Sequence, residues 1–260
     1  MLLSLEGNIG SGKSTLLQRL KTAHPEWIFL DEPVESWKTV RDTNNRDIIE
    51  CFYSDQEKYA FSFQILAYIT RLKKLLDAKK KYDTDAEGSD YVMVTERSID
   101  TDHFVFAKML YDDGKISKLD WQIYQEYIQT FTDQSQVDAI VYVETAPETC
   151  LERIEKRNRD GESSITSEYL EGCHRYHQQW LQPLIESKVT KAGDSSVSIY
   201  RLDASYDTSN EVYWEAQLSN ITQFVESRSR SGGSGDSGDS GSGVSDSRPS
   251  SIPSPLSAAV

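Results

Sequence analysis

Gly7-Asn8-Ile9-Gly10-Ser11-Gly12-Lys13-Ser14 fits the pattern G-x-x-x-x-G-K-S/T at every fixed position. A short apolar run, residues 1–6, precedes it and reads as a strand. Residues 15–21 follow, with Leu16, Leu17 and Leu20 on one stripe, and read as a helix. Strand, glycine loop and helix together wrap backbone N–H groups around phosphate oxygens and add the partial positive charge of a helix N-terminus. Residues 7–14 and Thr15 are therefore the expected triphosphate site. Lys13 is expected to reach the β- and γ-phosphates and the Ser14 hydroxyl to bind Mg²⁺. The loop fixes only nucleotide binding, because GTPases, ATPases and small-molecule kinases share it.

Around the loop, short apolar segments alternate with long helical patterns. The strand candidates are residues 1–6, 27–31, 91–95, 139–143 and 197–203. This alternation predicts a five-stranded parallel α/β sheet with helices on both faces. Residues 83–90 and 191–196 read as solvated loops, and Lys79-Lys80-Lys81 as an exposed helix end. Residues 228–260 are mostly Ser and Gly with few apolar side chains, a composition that cannot offset its ordering entropy. One kinase-sized domain, residues 1–227, and a disordered tail are expected.

The net charge of −14 argues against nonspecific nucleic-acid binding. No apolar run approaches the roughly 20 residues of a membrane span. The strand-like opening leaves no room for a targeting peptide. Cys51, Cys150 and Cys173 are scattered, which suits buried reduced thiols in a cytoplasmic protein.

Four clusters bear on the chemistry. Glu32, with Pro33 and Trp37, follows the second strand, where a carboxylate can accept a hydroxyl proton; read alone, the segment is equally an acidic surface loop. Glu96 and Arg97 end the third strand, suited to magnesium waters and a transferring phosphoryl group, or to a structural pair. Gln64, Ala67 and Arg71 share one face of the helix over residues 61–76, beside Phe63, while Ile65, Ile69, Leu72 and Leu76 form a core face. The Gln face suits a base edge, though on pattern alone a solvated face fits it better. Arg153, Lys156, Arg157 and Arg159 follow the fourth strand and suit phosphate, or a basic exposed helix face.

Taken in order, residues 7–15, Glu32-Pro33-Val34 with Trp37, Phe61-Ser62-Phe63-Gln64, Glu96-Arg97-Ser98, Pro147-Glu148-Thr149-Cys150-Leu151 and Arg153 to Arg159 resemble the deoxyribonucleoside kinase family over nearly all of residues 1–227. The resemblance implies a P-loop kinase fold with an Arg-rich lid, and ATP and a deoxyribonucleoside as ligands. It makes Glu32 the base toward the 5′-hydroxyl, with Arg97 near that hydroxyl and Glu96 on the magnesium. Trp37, Phe63 and Phe106 line the base and Gln64 reads its edge. Tyr53 and Glu162 hold the 3′-hydroxyl, and Arg153, Arg157 and Arg159 close over the phosphates. Arg71 and Asp102 match a pair found in the deoxycytidine and deoxyguanosine kinases, implying preference for deoxycytidine or purine deoxynucleosides over thymidine. Gly161 stands where many relatives carry a second acid, and Tyr206, Asp207 and Thr208 depart from the adenine-cradling pattern. Family analogy also implies a homodimer. A nucleoside monophosphate kinase shares the fold and loop but needs basic groups where this chain has Glu32; a non-catalytic scaffold would have no use for Lys13, Glu32 and the arginines together.

Overall fold

A computed structural model describes residues 1–85, 91–159, 162, 164–186, 197–205 and 210–231. Five strands, β1 (Leu2–Glu6), β2 (Ile28–Leu30), β3 (Met93–Glu96), β4 (Ala139–Glu144) and β5 (Ser198–Asp203), form one parallel sheet in the order β2-β3-β1-β4-β5. The strand-to-strand alternation of side chains divides the core. On one face Leu3, Leu5, Val94, Val141 and Val143 pack on Leu16, Leu17 and Leu20 of α1 (Lys13–Ala23) and on Trp214, Ile221 and Val225 of α10 (Glu211–Ser231). On the other, Leu2, Met93, Ile140 and Tyr142 meet Leu75 of α4 (Gln56–Asp85) and Leu181 of α9 (Ser167–Glu186). A strand covered on both faces buries both sets of alternating side chains, which explains the nearly continuous apolar runs.

Short helices α2 (Val34–Lys38) and α3 (Ile48–Ser54) lie between β2 and α4. After β3 the chain runs through α5 (Ile99–Thr101), a π-helical stretch over Asp102–Ala107, and α6 (Lys108–Asp112). Then come α7 (Lys118–Phe131), a 3-10 turn at Thr132–Gln134, and α8 (Pro147–Arg157). Among the described residues no helix is long and apolar enough to cross a membrane, and the three cysteines are free and buried.

Three expectations need correction. Ile69, assigned to the core face of α4, is 49% exposed; α4 is covered by α3 and the π-helical stretch on other sides, and Ile69 lies on the side these leave open. Residues 83–85, read as the start of a loop, continue α4, because the long helix carries polar residues at its end without a stop signal. Residues 228–231, read as the start of the tail, extend α10, whose ladder outruns the compositional change. The remainder of that loop, residues 191–196 and residues 232–260 lie outside the described residues.

Candidate active site

Strand register assembles the site. Leu5 pairs with Glu96 and Leu30 with Thr95, so the phosphate loop, Glu96-Arg97 and Glu32 leave the same sheet edge side by side. Ligands of open parallel sheets bind at such strand ends. The loop's glycines have little choice. Gly10 has φ +79°, and a Cβ there would stand 2.5 Å from the Cys150 carbonyl oxygen. Gly10→Ala is expected to cost at least the ~1–3 kcal/mol of a strained backbone, read as a lower Tm together with weakened triphosphate binding.

Lys13 Nζ donates to the loop's own carbonyls, Gly7 O at 2.9 Å and Asn8 O at 2.6 Å. Burial, reinforced by Arg97, pulls this ammonium down to about 7, while Glu96 and Glu32 pull the other way. Ser14 Oγ donates to Glu96 Oε1 at 2.7 Å. Asn8 serves the loop structurally: its Nδ2 donates to Leu170 O at 2.9 Å and its Oδ1 accepts from Ile9 N. Ile9 packs against buried residues of α8 and α9. Ser11 O accepts from Thr145 Oγ1 and from Arg153 Nη1 at 3.2 Å. Gly12 caps α1 in the left-handed region, and Thr15 sits half-buried in its first turn.

Glu32 is the focus of the opposite wall. Its Oε1 accepts from Arg97 Nη1 at 2.7 Å and Arg71 Nη2 at 3.1 Å. Burial alone would raise the carboxyl, but Arg97, Arg71 and Lys13 outweigh it and hold Glu32 at about 2. Arg97 has φ +63°, a conformation costly for a long side chain and typical of functional sites. Its guanidinium lies 5.1 Å from the Phe106 ring centroid, and its buried Nε has no hydrogen-bond partner among the described residues. Arg71 is 5% exposed and fully committed. Nε and Nη2 bind Asp102 at 2.8 and 3.3 Å, and Nη1 binds Glu96 O at 2.8 Å. Despite burial, which opposes it, Asp102 and Glu32 raise the Arg71 guanidinium above its usual range.

The Gln64 face of α4 is not solvated: Gln64, Ala67 and Arg71 are all buried. Gln64 Oε1 has no hydrogen-bond partner among the described residues. A buried acceptor left unmet is costly unless a ligand supplies the donor. Trp37 meets Phe63 edge-on, centroids 5.4 Å apart, and its Nε1 donates to Thr70 Oγ1 at 2.9 Å. Phe52 packs 4.9 Å from Phe63. The π-helical stretch brings Asp102 and Phe106 inward together.

The structure scatters the arginine cluster. Arg153 crosses the loop to Ser11 O and Ala204 O. Arg157 grips Glu162 with two bonds, Nε to Oε2 at 2.7 Å and Nη2 to Oε1 at 2.6 Å, and Arg159 is exposed. Glu162 is not bonded to Tyr53, but after burial and Cys173 it is among the charges that raise the Tyr53 phenol. A cavity of about 720 Å³ opens beside Tyr53 and Tyr169 and runs along Asp55, Glu57, Glu168 and Glu171. It meets the site at Tyr53 rather than at Glu32. Gly161, Tyr206, Asp207 and Thr208 lie outside the described residues.

Glu6 escaped sequence reading. This fully buried carboxylate accepts from Ser98 N at 3.0 Å and from the Ser4 and Thr101 hydroxyls. It pins the helix start that carries Asp102 to the end of β1. A charged residue closing a strand of three leucines and one serine was the available signal.

A family model described as deoxynucleoside kinase matches residues 3–231. The chain belongs to the deoxynucleoside kinase family. As a deoxynucleoside kinase it is an ATP-dependent phosphotransferase. Relatives of this kinase include a mitochondrial deoxyguanosine kinase from Xenopus laevis, 29% identical over 86% of this chain and 89% of that one. Deoxycytidine kinase 2 from Gallus gallus is 30% identical over 86% and 90%. Human deoxycytidine kinase is 34% identical over 69% and 74%.

Proposed function

We propose that this kinase transfers the γ-phosphate of ATP to the 5′-hydroxyl of deoxycytidine or a purine deoxynucleoside, in nucleotide salvage. The observation that carries the reading is the Glu32 carboxylate held by Arg97 and Arg71 beside the phosphate loop. The acceptor hydroxyl donates to Glu32 and attacks the γ-phosphorus as the bond to the ADP oxygen breaks. The proton then passes to Glu32. A carboxylate held so low is a weak base, which suits a loose transition state in which the proton moves late and orientation matters first. Arg97 stands ready for the charge on the transferring group. Lys13 exchanges its two carbonyls for the β- and γ-phosphates.

A hydroxyl and a carboxylate 2.7 Å apart suit Mg²⁺, a hard ion that keeps waters and takes few protein oxygens. Ser14 and Glu96 would hold it, and when bound it neutralises phosphate charge. Trp37, Phe63 and Phe106 enclose the base, Gln64 Oε1 accepts from its edge, and Tyr53 and Glu162 serve the 3′-hydroxyl. Arg153, Arg157 and Arg159 form the arginine lid over the phosphates.

The monophosphate-kinase alternative is disfavoured by the same geometry. The two arginines nearest the acceptor are already paired with Glu32 and Asp102, so a phosphate on the acceptor would have to compete with those carboxylates. A homodimer is supported by the exposed apolar side chains Ile69 on α4 and Leu119, Ile123 and Tyr127 on α7, joined where Tyr68 OH donates to Tyr127 O. We assign a cytoplasmic location, although the Xenopus relative is mitochondrial by name.

Preference over thymidine rests on Arg71 and Asp102. Removing them together leaves no lone buried charge, and Arg97 still holds Glu32. The doubly substituted Arg71→Met, Asp102→Ala enzyme is expected to raise thymidine turnover relative to deoxycytidine by tenfold or more, roughly the discrimination one pocket contact supplies. An unchanged ratio would refute this basis for the preference.

A further inference from the structure

The Arg157–Glu162 ion pair joins two ligands' binding groups, and neither resemblance nor fold assigns it a role. Arg157 closes the last turn of α8, one turn beyond Arg153, whose guanidinium already lies on the phosphate loop. Its planar fork is the chemistry that takes two phosphate oxygens. Here the fork is spent on Glu162: Nε and Nη2 each hold one carboxylate oxygen, at 2.7 and 2.6 Å. Tyr53 packs against the cluster of Cys150, Ile154, Ile165 and Leu170, and Ile165 N donates to Glu162 O at 3.0 Å, which places Glu162 near the Tyr53 side of the site; after burial and Cys173, its charge raises the Tyr53 phenol. One carboxylate thus stands between the sugar side of the site and a phosphate-seeking arginine.

Resting on the functional reading above, we infer that Arg157 and Glu162 make the acceptor's 3′-hydroxyl a determinant of phosphate-donor binding. A 3′-hydroxyl donating to Glu162 beside Tyr53 draws the carboxylate from the guanidinium and frees the fork for the triphosphate. A triphosphate taken up by Arg157 releases Glu162 to the sugar. Coupling between two sites is reciprocal and typically changes affinity about 5–150-fold. An acceptor lacking the 3′-hydroxyl offers Glu162 no replacement for Arg157, so it binds without reference to the donor. Arg157 is then a specificity residue for an atom it never touches.

The test measures dissociation constants for deoxycytidine and 2′,3′-dideoxycytidine, each with and without magnesium β,γ-methylene-ATP, on the full chain. The donor analogue is expected to tighten deoxycytidine about fivefold or more and to leave the dideoxynucleoside within about twofold. Glu162→Gln, which keeps the size but loses the charge that competes for Arg157, is expected to bring the deoxycytidine ratio toward unity, and Arg157→Lys, which loses the fork, to reduce it. If both nucleosides bind and show the same ratio, or deoxycytidine shows none, the inference is wrong while the functional reading stands. If neither nucleoside binds under any condition, the same comparison is made with deoxyguanosine and its 2′,3′-dideoxy analogue, and failure of those to bind overturns the functional reading and the inference with it.

Discussion

Glu32→Gln is expected to lower kcat by about 10²–10⁴-fold, the usual worth of a positioned acid or base, with a much smaller change in KM. Glutamine keeps the shape and can still accept from Arg97, so nucleoside binding persists while proton acceptance does not. The pH dependence follows from the same group. Its folded-state value, about 2, lies below the ordinary 4.5. The stability it lends is therefore complete above about pH 4.5 and is lost as pH falls toward 2. Tm of the wild type and of the Gln variant, followed downward from neutral pH, should converge through that window. The wild-type rate should show no acid limb from Glu32 at pH 5 or above. A Gln variant with undiminished kcat would remove Glu32 from the chemistry.

Lys13→Met is expected to abolish productive donor binding, with kcat/KM lower by at least about 10²–10³-fold, the loss seen when one preorganised charge-stabilising donor is deleted. A subtler effect separates Lys13 from a generic cation. Its ammonium sits at about 7, whereas contact with phosphate restores the charged form. At pH 8 the group is mostly neutral before binding. Triphosphate binding should then take up a large fraction of a proton, since the bound ammonium returns toward its ordinary range. Calorimetry in buffers of different ionisation enthalpy measures this directly. The uptake should shrink below pH 6. Proton-neutral binding at pH 8 would mean that Lys13 is already charged before the triphosphate arrives or does not meet its phosphates.

The loop, the five strands and the charged residues that end β2 and β3 were legible in sequence because each is a local signal. Branched and aromatic runs of strand length, glycines at fixed offsets and a carboxylate just past a strand need no tertiary knowledge. Periodicity placed Gln64, Ala67 and Arg71 on one face but could not say what that face meets. The same limit put Ile69 in the core, since a helical stripe does not reveal whether its partner is this chain or another surface. The inward turn of Asp102 and Phe106 depends on a π-helical stretch that packing imposes and no propensity marks. Glu6 marks itself in sequence only as a charged strand end; its role depends on three donors brought together by the fold. The commitment of Arg71 to Glu32 as well as Asp102 pairs groups distant along the chain, which spacing does not encode, and Arg157 meets Glu162 only beyond the end of α8, where helical spacing no longer applies.

The proposed reaction requires a neutral hydroxyl acceptor served by Glu32. The most direct measurement supplies the wild-type enzyme with magnesium ATP and, side by side, the four deoxyribonucleosides and their 5′-monophosphates, and follows the phosphorylated products. Phosphate should pass to the nucleosides, with deoxycytidine or the purine deoxynucleosides ahead of thymidine, and not to the monophosphates. Transfer to the monophosphates with the nucleosides left untouched would contradict it.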